Sequence, residues 1–205
     1  MMVDFEKAKV SMRYWLLGSK MHNALNALEY AGLFHTGTRK DGVTPEYYHQ
    51  LSIAHYIRTF LHHVDDPETA LASAFLHDVC EDYNVGFEEI ETKFGVLVAD
   101  AVKQLTKKHR GVYLNEDDYY NGIGQHKIAS VVKGADRVNN IQTMVHVFSR
   151  EKQVQYLKET VDCVIPMLKT SRRLFTTQEG AYENMKIMLR NQVMLIEAIH
   201  HEQNR

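Results

Sequence analysis

Apolar residues recur along this chain at intervals of three and four, and alternation of period two is nearly absent, so the sequence predicts helices almost throughout. A first helical region runs roughly from Asp4 to Tyr30 with a break near Gly18 and Ser19. Gly32, Gly37 and Gly42 then mark a loop that carries Arg39 and Lys40. A second helix is expected to begin near Pro45, whose fixed φ suits a first turn, and to run through Leu51, Ile53, Ala54, Ile57 and Leu61. The third has the clearest start, with Asp66 as N-cap, Pro67 at the first helical position and Glu68 set to meet the dipole. Leu71, Ala74, Phe75, Leu76 and Val79 carry it to about Asp82. Asn84 and Gly86 turn the chain into a short helix from Phe87 to Phe94, and Gly95 separates that from another reaching about Lys107. The stretch from Lys108 to Gly124 is polar, aromatic and punctuated by glycine, as in an exposed loop or lid. A long helix from about Ile123 to Phe148 and two more, near Glu151 to Phe175 and Glu179 to Glu202, close the chain. Thr176 and Glu179 have the spacing of a capping box for the last of them.

Composition narrows the class. With 205 residues, 44% of them hydrophobic and 24% charged, the chain reads as one all-α globular domain over 1–205. No segment is apolar for long enough to span a bilayer, and the residues from Met1 to Lys9 lack the pattern of a signal peptide, so a cytoplasmic protein without a membrane partner is expected. A formal net charge of −2 argues against coating nucleic acid, which needs dense Lys and Arg, but leaves room for a small phosphorylated ligand. Cys80 and Cys163 are expected to be reduced. Twelve histidines are the unusual feature, and they invite a search for metal-ligand spacing.

That search finds His77-Asp78-Val79-Cys80-Glu81-Asp82 directly after an apolar helical run. On a helix His77 and Glu81, and likewise Asp78 and Asp82, are four residues apart, so two adjacent stripes present polar pairs to one side. A buried face cannot hold such groups unpaired. Neutral imidazole with carboxylate oxygen suits a divalent ion such as Mn, Fe, Zn or Mg. Upstream, Arg39-Lys40-Asp41-Gly42 precedes Pro45 and His49. Downstream, Ala135-Asp136-Arg137-Val138-Asn139-Asn140 follows Ile128, Val131 and Val132, so one metal can collect ligands from three helices.

The order of these pieces resembles the hydrolase domain of RelA/SpoT-type (p)ppGpp enzymes, including their stand-alone hydrolases. It runs Arg39 to Gly42, Pro45 to His49, Leu76 to Asp82, Glu88 to Gly95, Leu105 to Lys107 and Ala135 to Asn140, within roughly residues 30 to 150. The resemblance implies a single-domain HD-type helical bundle with residues 151–205 packed on the motif-bearing part. It implies one divalent ion of the Mn type held by His49, His77, Asp78 and Asp136, and removal of the 3′-pyrophosphate of (p)ppGpp. By position, Glu81 and Asp82 match the family's catalytic acidic pair, Asn140 an active-site asparagine that is catalytic and contacts substrate, and Arg39 and Lys40 its nucleotide contacts. With no synthetase domain following, hydrolysis without synthesis is expected.

The chain also departs from the family pattern. Gly42-Val43-Thr44-Pro45-Glu46 carries one extra residue and an acid where relatives have tyrosine, and Asn139 replaces a histidine. An acid at position 46 would repel a polyphosphate or reposition the base, which raises the alternative of an HD hydrolase acting on a deoxynucleotide or a phosphorylated dinucleotide; a catalytically silent nucleotide sensor using the same pocket is a further alternative. The basic run Lys103, Lys107, Lys108, His109, Arg110 reads as a solvated helix end, and Tyr113, Tyr119 and Tyr120 as lid packing. Met185, Met188, Leu189 and Met194 read as core or as the surface of a homo-oligomer. His22, His35, His55, His62, His63, His126, His146, His200 and His201 read as surface or satisfied core, with His35, near the nucleotide loop, the first to suspect otherwise.

Overall fold

The computed structural model describes residues 5–145 and 147–202. Expectations for His146 and for the first four residues lie outside the described residues. The helices follow in the order α1 Phe5–Gly18, α2 His22–Ala31, α3 Tyr48–Thr59, α4 Pro67–Leu76, α5 Val79–Asp82, α6 Phe87–Phe94, α7 Val96–Leu105, α8 Glu116–Gly124, α9 Lys127–Met144, α10 Arg150–Glu159, α11 Ile165–Leu174 and α12 Glu179–Glu202. Two short strands, β1 Lys108–His109 and β2 Val112–Tyr113, form an antiparallel hairpin.

Helix α9 is the axis of the bundle, with α3, α4, α7, α8, α10, α11 and α12 packed on it. Its sequence explains why. Ile128, Val131, Val132, Ala135, Val138 and Ile141 give it apolar surface on several sides, and all are buried. Gly134 lets α11 and α12 come close: a Cβ there would lie 2.5 Å from Met185 Sδ and 3.0 Å from a Leu168 methyl. Helix α4 is wrapped almost as completely, with Thr69 through Leu76 all buried. Its start is as the sequence predicts: Asp66 Oδ1 accepts the Thr69 N–H at 3.1 Å, and Pro67 occupies the first turn. Such a cap contributes about 1 kcal/mol.

Several boundaries differ from the sequence expectation, each for a local reason. The second predicted helix starts at Tyr48 rather than Pro45, because Pro45 is bridged to Thr38. The loop between them closes like a hairpin: Arg39 N–H donates to the Thr44 carbonyl, Gly42 turns at φ +72°, and the Asp41 carboxylate accepts from the Val43 and Thr44 amides. The third helix breaks after Leu76 instead of running to Asp82. His77 Nδ1 lies 2.9 Å from the Ala74 carbonyl, the acceptor that a continuing helix would give to the Asp78 amide. The supposed lid from Lys108 to Gly124 is a hairpin followed by α8, in which Tyr119 and Tyr120 are buried while Tyr113 is exposed.

The long helix expected from Ile123 begins only at Lys127. His126 Nδ1 accepts from the Ile128 and Ala129 amides, and an imidazole is outside the usual capping alphabet. The segment from Glu151 to Phe175 is two helices joined by a π turn, Thr160–Val164, and a 3-10 turn, Thr176–Gln178, leads into α12 where a capping box was expected. Met185 and Leu189 are core, Met188 is half-buried and Met194 is exposed. Among the described residues no helix is long and apolar enough to cross a membrane.

Candidate metal centre

The break between α4 and α5 presents His77 and Asp78, α3 brings His49, and α9 brings Asp136. Their donor atoms converge. His49 Nε2 lies 3.2 Å from Asp136 Oδ1 and 3.9 Å from Asp78 Oδ2, and His77 Nε2 lies 3.0 Å from Asp78 Oδ2 and 3.9 Å from Asp136 Oδ1. Atoms bound at 2.0–2.2 Å to one ion stand roughly 3–4 Å from one another, and these four separations fall in that range. The group whose ligand atoms all lie within 4.8 Å of one another is His49, His77 and Asp78, and Asp136 approaches it from the side of the two imidazoles.

The outward-facing nitrogens agree. His49 Nδ1 lies 2.7 Å from Asn139 Oδ1, and His77 Nδ1 lies 2.9 Å from the Ala74 carbonyl. Both partners are acceptors, so each imidazole carries its proton on Nδ1 and turns a bare Nε2 lone pair inward. Asp136 is held from two further sides, by Asn140 Nδ2 at 2.6 Å and Lys133 Nζ at 3.0 Å.

Electrostatics of the metal-free protein fit the same reading. Burial alone would lower the His77 pKa, but the adjacent Asp78 and then Asp136 outweigh it and raise it to about 9. Asp78 is opposed by burial and lowered to about 2 by His77 and His49. Asp136 is held well below the usual carboxylate range: burial opposes, and Lys133 and His49 prevail. A proton is thus attracted to the point where the four donors meet, which is how a cation site behaves when protons replace the ion.

All nine residues singled out in the sequence line one cavity of about 650 Å³: Arg39, Lys40, His49, His77, Asp78, Glu81, Asp82, Asp136 and Asn140. They do not sit alike. Glu81 Oε2 accepts the backbone N–H groups of Lys107 and Lys108, at 2.8 and 3.2 Å, so the supposed solvated helix end at Lys107 is instead a clamp. Asp82 is exposed to the cavity, and its pKa is pushed up to about 6 by burial, then by Asp78 and Glu81. Asn140 is committed to Asp136. Arg39 reaches Thr143 Oγ1 at 3.4 Å, and Lys40 Nζ lies 5.1 Å above the Phe148 ring.

Sequence reasoning missed four residues here. Lys133 and Asn139 flank Asp136 at helical spacings of three, a signal that was available. Gln50 is buried beside His49. Arg137 is buried and makes an ion pair with Glu159 at 2.9 Å and a bond to the Tyr120 hydroxyl at 3.0 Å, pinning α10 and α8 to α9 beside the cavity. His35, near the nucleotide loop in sequence, is buried and does not line the cavity.

Residues 47–159, more than half of the chain, match the HD domain family. The chain belongs to the HD family. The HD assignment, together with the His-His-Asp cluster, identifies a divalent-metal site. Among relatives, a probable guanosine-3′,5′-bis(diphosphate) 3′-pyrophosphohydrolase of Synechocystis is 28% identical over 141 residues, which is 65% of this chain and 18% of that protein. The guanosine-3′,5′-bis(diphosphate) 3′-pyrophosphohydrolase MESH1 of Xenopus tropicalis is 28% identical over 166 residues, covering 78% of this chain and 91% of that one. The chain thus spans less than a fifth of the length of the first bacterial relatives but nearly all of the frog protein. A solved structure described as a metazoan ortholog of SpoT that hydrolyses ppGpp superposes with a TM-score of 0.65 at 22% identity, covering 84% of this chain and 94% of that one, so the two share an all-helical fold.

Proposed function

We propose that this HD protein is a Mn-dependent hydrolase that removes the 3′-pyrophosphate of (p)ppGpp, working in the cytoplasm as a single domain over 1–205. The observation that carries the reading is the convergence of two imidazole nitrogens and two carboxylates at one end of a cavity that also holds an acidic pair and the Arg39-Lys40 loop. The relatives named for this reaction, one of them matched over nearly its whole length, support the substrate.

In this reading His49, His77, Asp78 and Asp136 hold the ion. A divalent cation held there would supply Lewis-acid activation of a water and of the phosphoryl group. The chain's own groups divide the remaining work. Glu81, clamped by two backbone amides, orients. Asp82, free of such a clamp and with a raised pKa, accepts and returns the proton. Asn140 and Lys133 fix Asp136, and Arg39 and Lys40 neutralise the phosphate chain.

Release of pyrophosphate from ppGpp by the purified protein with Mn2+, identified by mass, tests the proposal. Inertness across divalent metals would overturn it. Glu46 favours one second reading: it lines the cavity as an acid, so a nucleotide without the 3′-diphosphate is the alternative substrate. A nucleotide panel separates the two, since the first reading requires a strong preference for ppGpp.

A further inference from the structure

Gln50 follows His49 on α3 and is only 1% exposed, yet nothing above gives it a role. Its Nε2 lies 3.3 Å from Asp78 Oδ2 and 3.3 Å from His35 Nε2. Its Oε1 is buried and has no hydrogen-bond partner among the described residues. Leaving a buried acceptor empty is costly, so the amide must be held by its donor end. Turned over, it would put Oε1 against the Asp78 carboxylate, acceptor facing acceptor, and Asp78 would lose its donor.

The direction of the amide is set by His35. This imidazole is buried, and burial lowers its pKa although Asp78 and Glu46 oppose, so it is neutral and carries one proton. Its Nδ1 faces the Tyr83 hydroxyl at 3.4 Å and Glu46 Oε1 at 3.6 Å. Glu46 is an acceptor only, and it draws the proton to Nδ1. His35 Nε2 is then a bare acceptor, which takes one Gln50 N–H and leaves the other for Asp78. With the proton on Nε2, Gln50 would turn its oxygen to His35 and therefore to Asp78 as well.

We propose that Gln50 is a positioning residue of the metal centre: its amide fixes the Asp78 carboxylate, and Glu46, acting through the tautomer of His35, fixes the amide. The inference rests on the ligand assignment proposed above. It gives the acid at position 46 a structural task that is separate from contact with a nucleotide.

Titration of the whole metal-free protein with Mn2+ by calorimetry, beside thermal unfolding in chelator, tests it. Gln50→Met should weaken Mn2+ binding about 10–100-fold, as loss of a group that orients a ligand does, while metal-free stability holds or rises because the empty acceptor is gone. Glu46→Leu, which acts through His35, should give a smaller loss in the same direction, and Glu46→Gln, which keeps an acceptor for His35, should restore binding to within about twofold of the unmodified protein. The Glu46→Leu/Gln50→Met double variant should bind no more weakly than Gln50→Met alone. Unchanged affinity in Gln50→Met, or losses that multiply in the double variant, would overturn the relay. Absence of Mn2+ binding in the unmodified protein would overturn the ligand assignment and the relay with it. Metal binding that follows this pattern without ppGpp turnover would support the relay and remove only the proposed substrate.

Discussion

His49 Nδ1 lies 2.7 Å from Oδ1 of Asn139, one helix reaching across to another to decide which nitrogen of the imidazole faces the cavity. In the proposed ligand set this contact gives Asn139 the task of orienting His49. Asn139→Leu should leave the helical fold intact and weaken divalent-metal binding about 10–100-fold, whereas Asn139→Asp, which keeps an acceptor, should retain most of it. Calorimetric titration of both variants checks this.

Lys133 offsets the negative charge of a centre that brings two carboxylates, Asp78 and Asp136, to one end of the cavity. Burial opposes its charge, but Tyr119 and Asp136 hold its pKa well above the usual lysine value. Lys133→Met should therefore destabilise the metal-free protein by about 3 kcal/mol, the cost of stranding a buried partner. Saturating divalent metal should return part of that stability. Denaturant unfolding with and without the ion measures both effects.

In the proposed mechanism Glu81 and Asp82, neighbours in sequence, have different tasks. Asp82→Asn should lower kcat by about 10²–10⁴-fold without loss of metal, since it removes the group that moves the proton. Glu81→Gln keeps an acceptor for the Lys107 and Lys108 amides and should slow turnover less. Comparable metal content and equal kcat losses in the two variants would contradict this division of labour.

His126 makes stability depend on pH near neutrality. Its Nδ1 caps α9 as an acceptor, and burial lowers its pKa below 6.5, with Asp100 opposing. The unfolded chain thus takes up the proton first. The stabilisation is complete above pH 6.5 and is lost as pH falls through the lower folded value. His126→Asn, a capping residue that does not titrate, should flatten this slope in urea unfolding between pH 7.5 and about 5.5 while retaining the cap, worth about 1 kcal/mol.

Much of this was legible in the sequence because it rests on local chemistry. Asp66-Pro67-Glu68 announces a helix start, Gly86 and Gly95 bracket α6, and the ordered His and Asp motifs pick out residues that the fold brings to one cavity. What the sequence hid is competition between partners. Pro45 reads as a helix start until Thr38 is seen to bridge to it, and His77 reads as mid-helix until its Nδ1 is found on the Ala74 carbonyl. His126 looked like one more surface histidine because imidazole capping has no motif. Gln50 carries no signature, and for Asn139 the spacing to Asp136 gives no hint of its partner, since their contacts lie 28 and 90 residues away along the chain, to Asp78 and His49.

Metal stoichiometry in the purified unmodified protein and in Asp136→Ala, measured by plasma mass spectrometry after loading with Mn2+ and desalting, tests the central claim most directly. The proposed ligand set of His49, His77, Asp78 and Asp136 predicts one ion per unmodified chain, essentially none in the variant, and loss of ppGpp hydrolysis with it. An unmodified chain that retains no ion, or an Asp136→Ala chain that retains a full equivalent, would contradict the assignment.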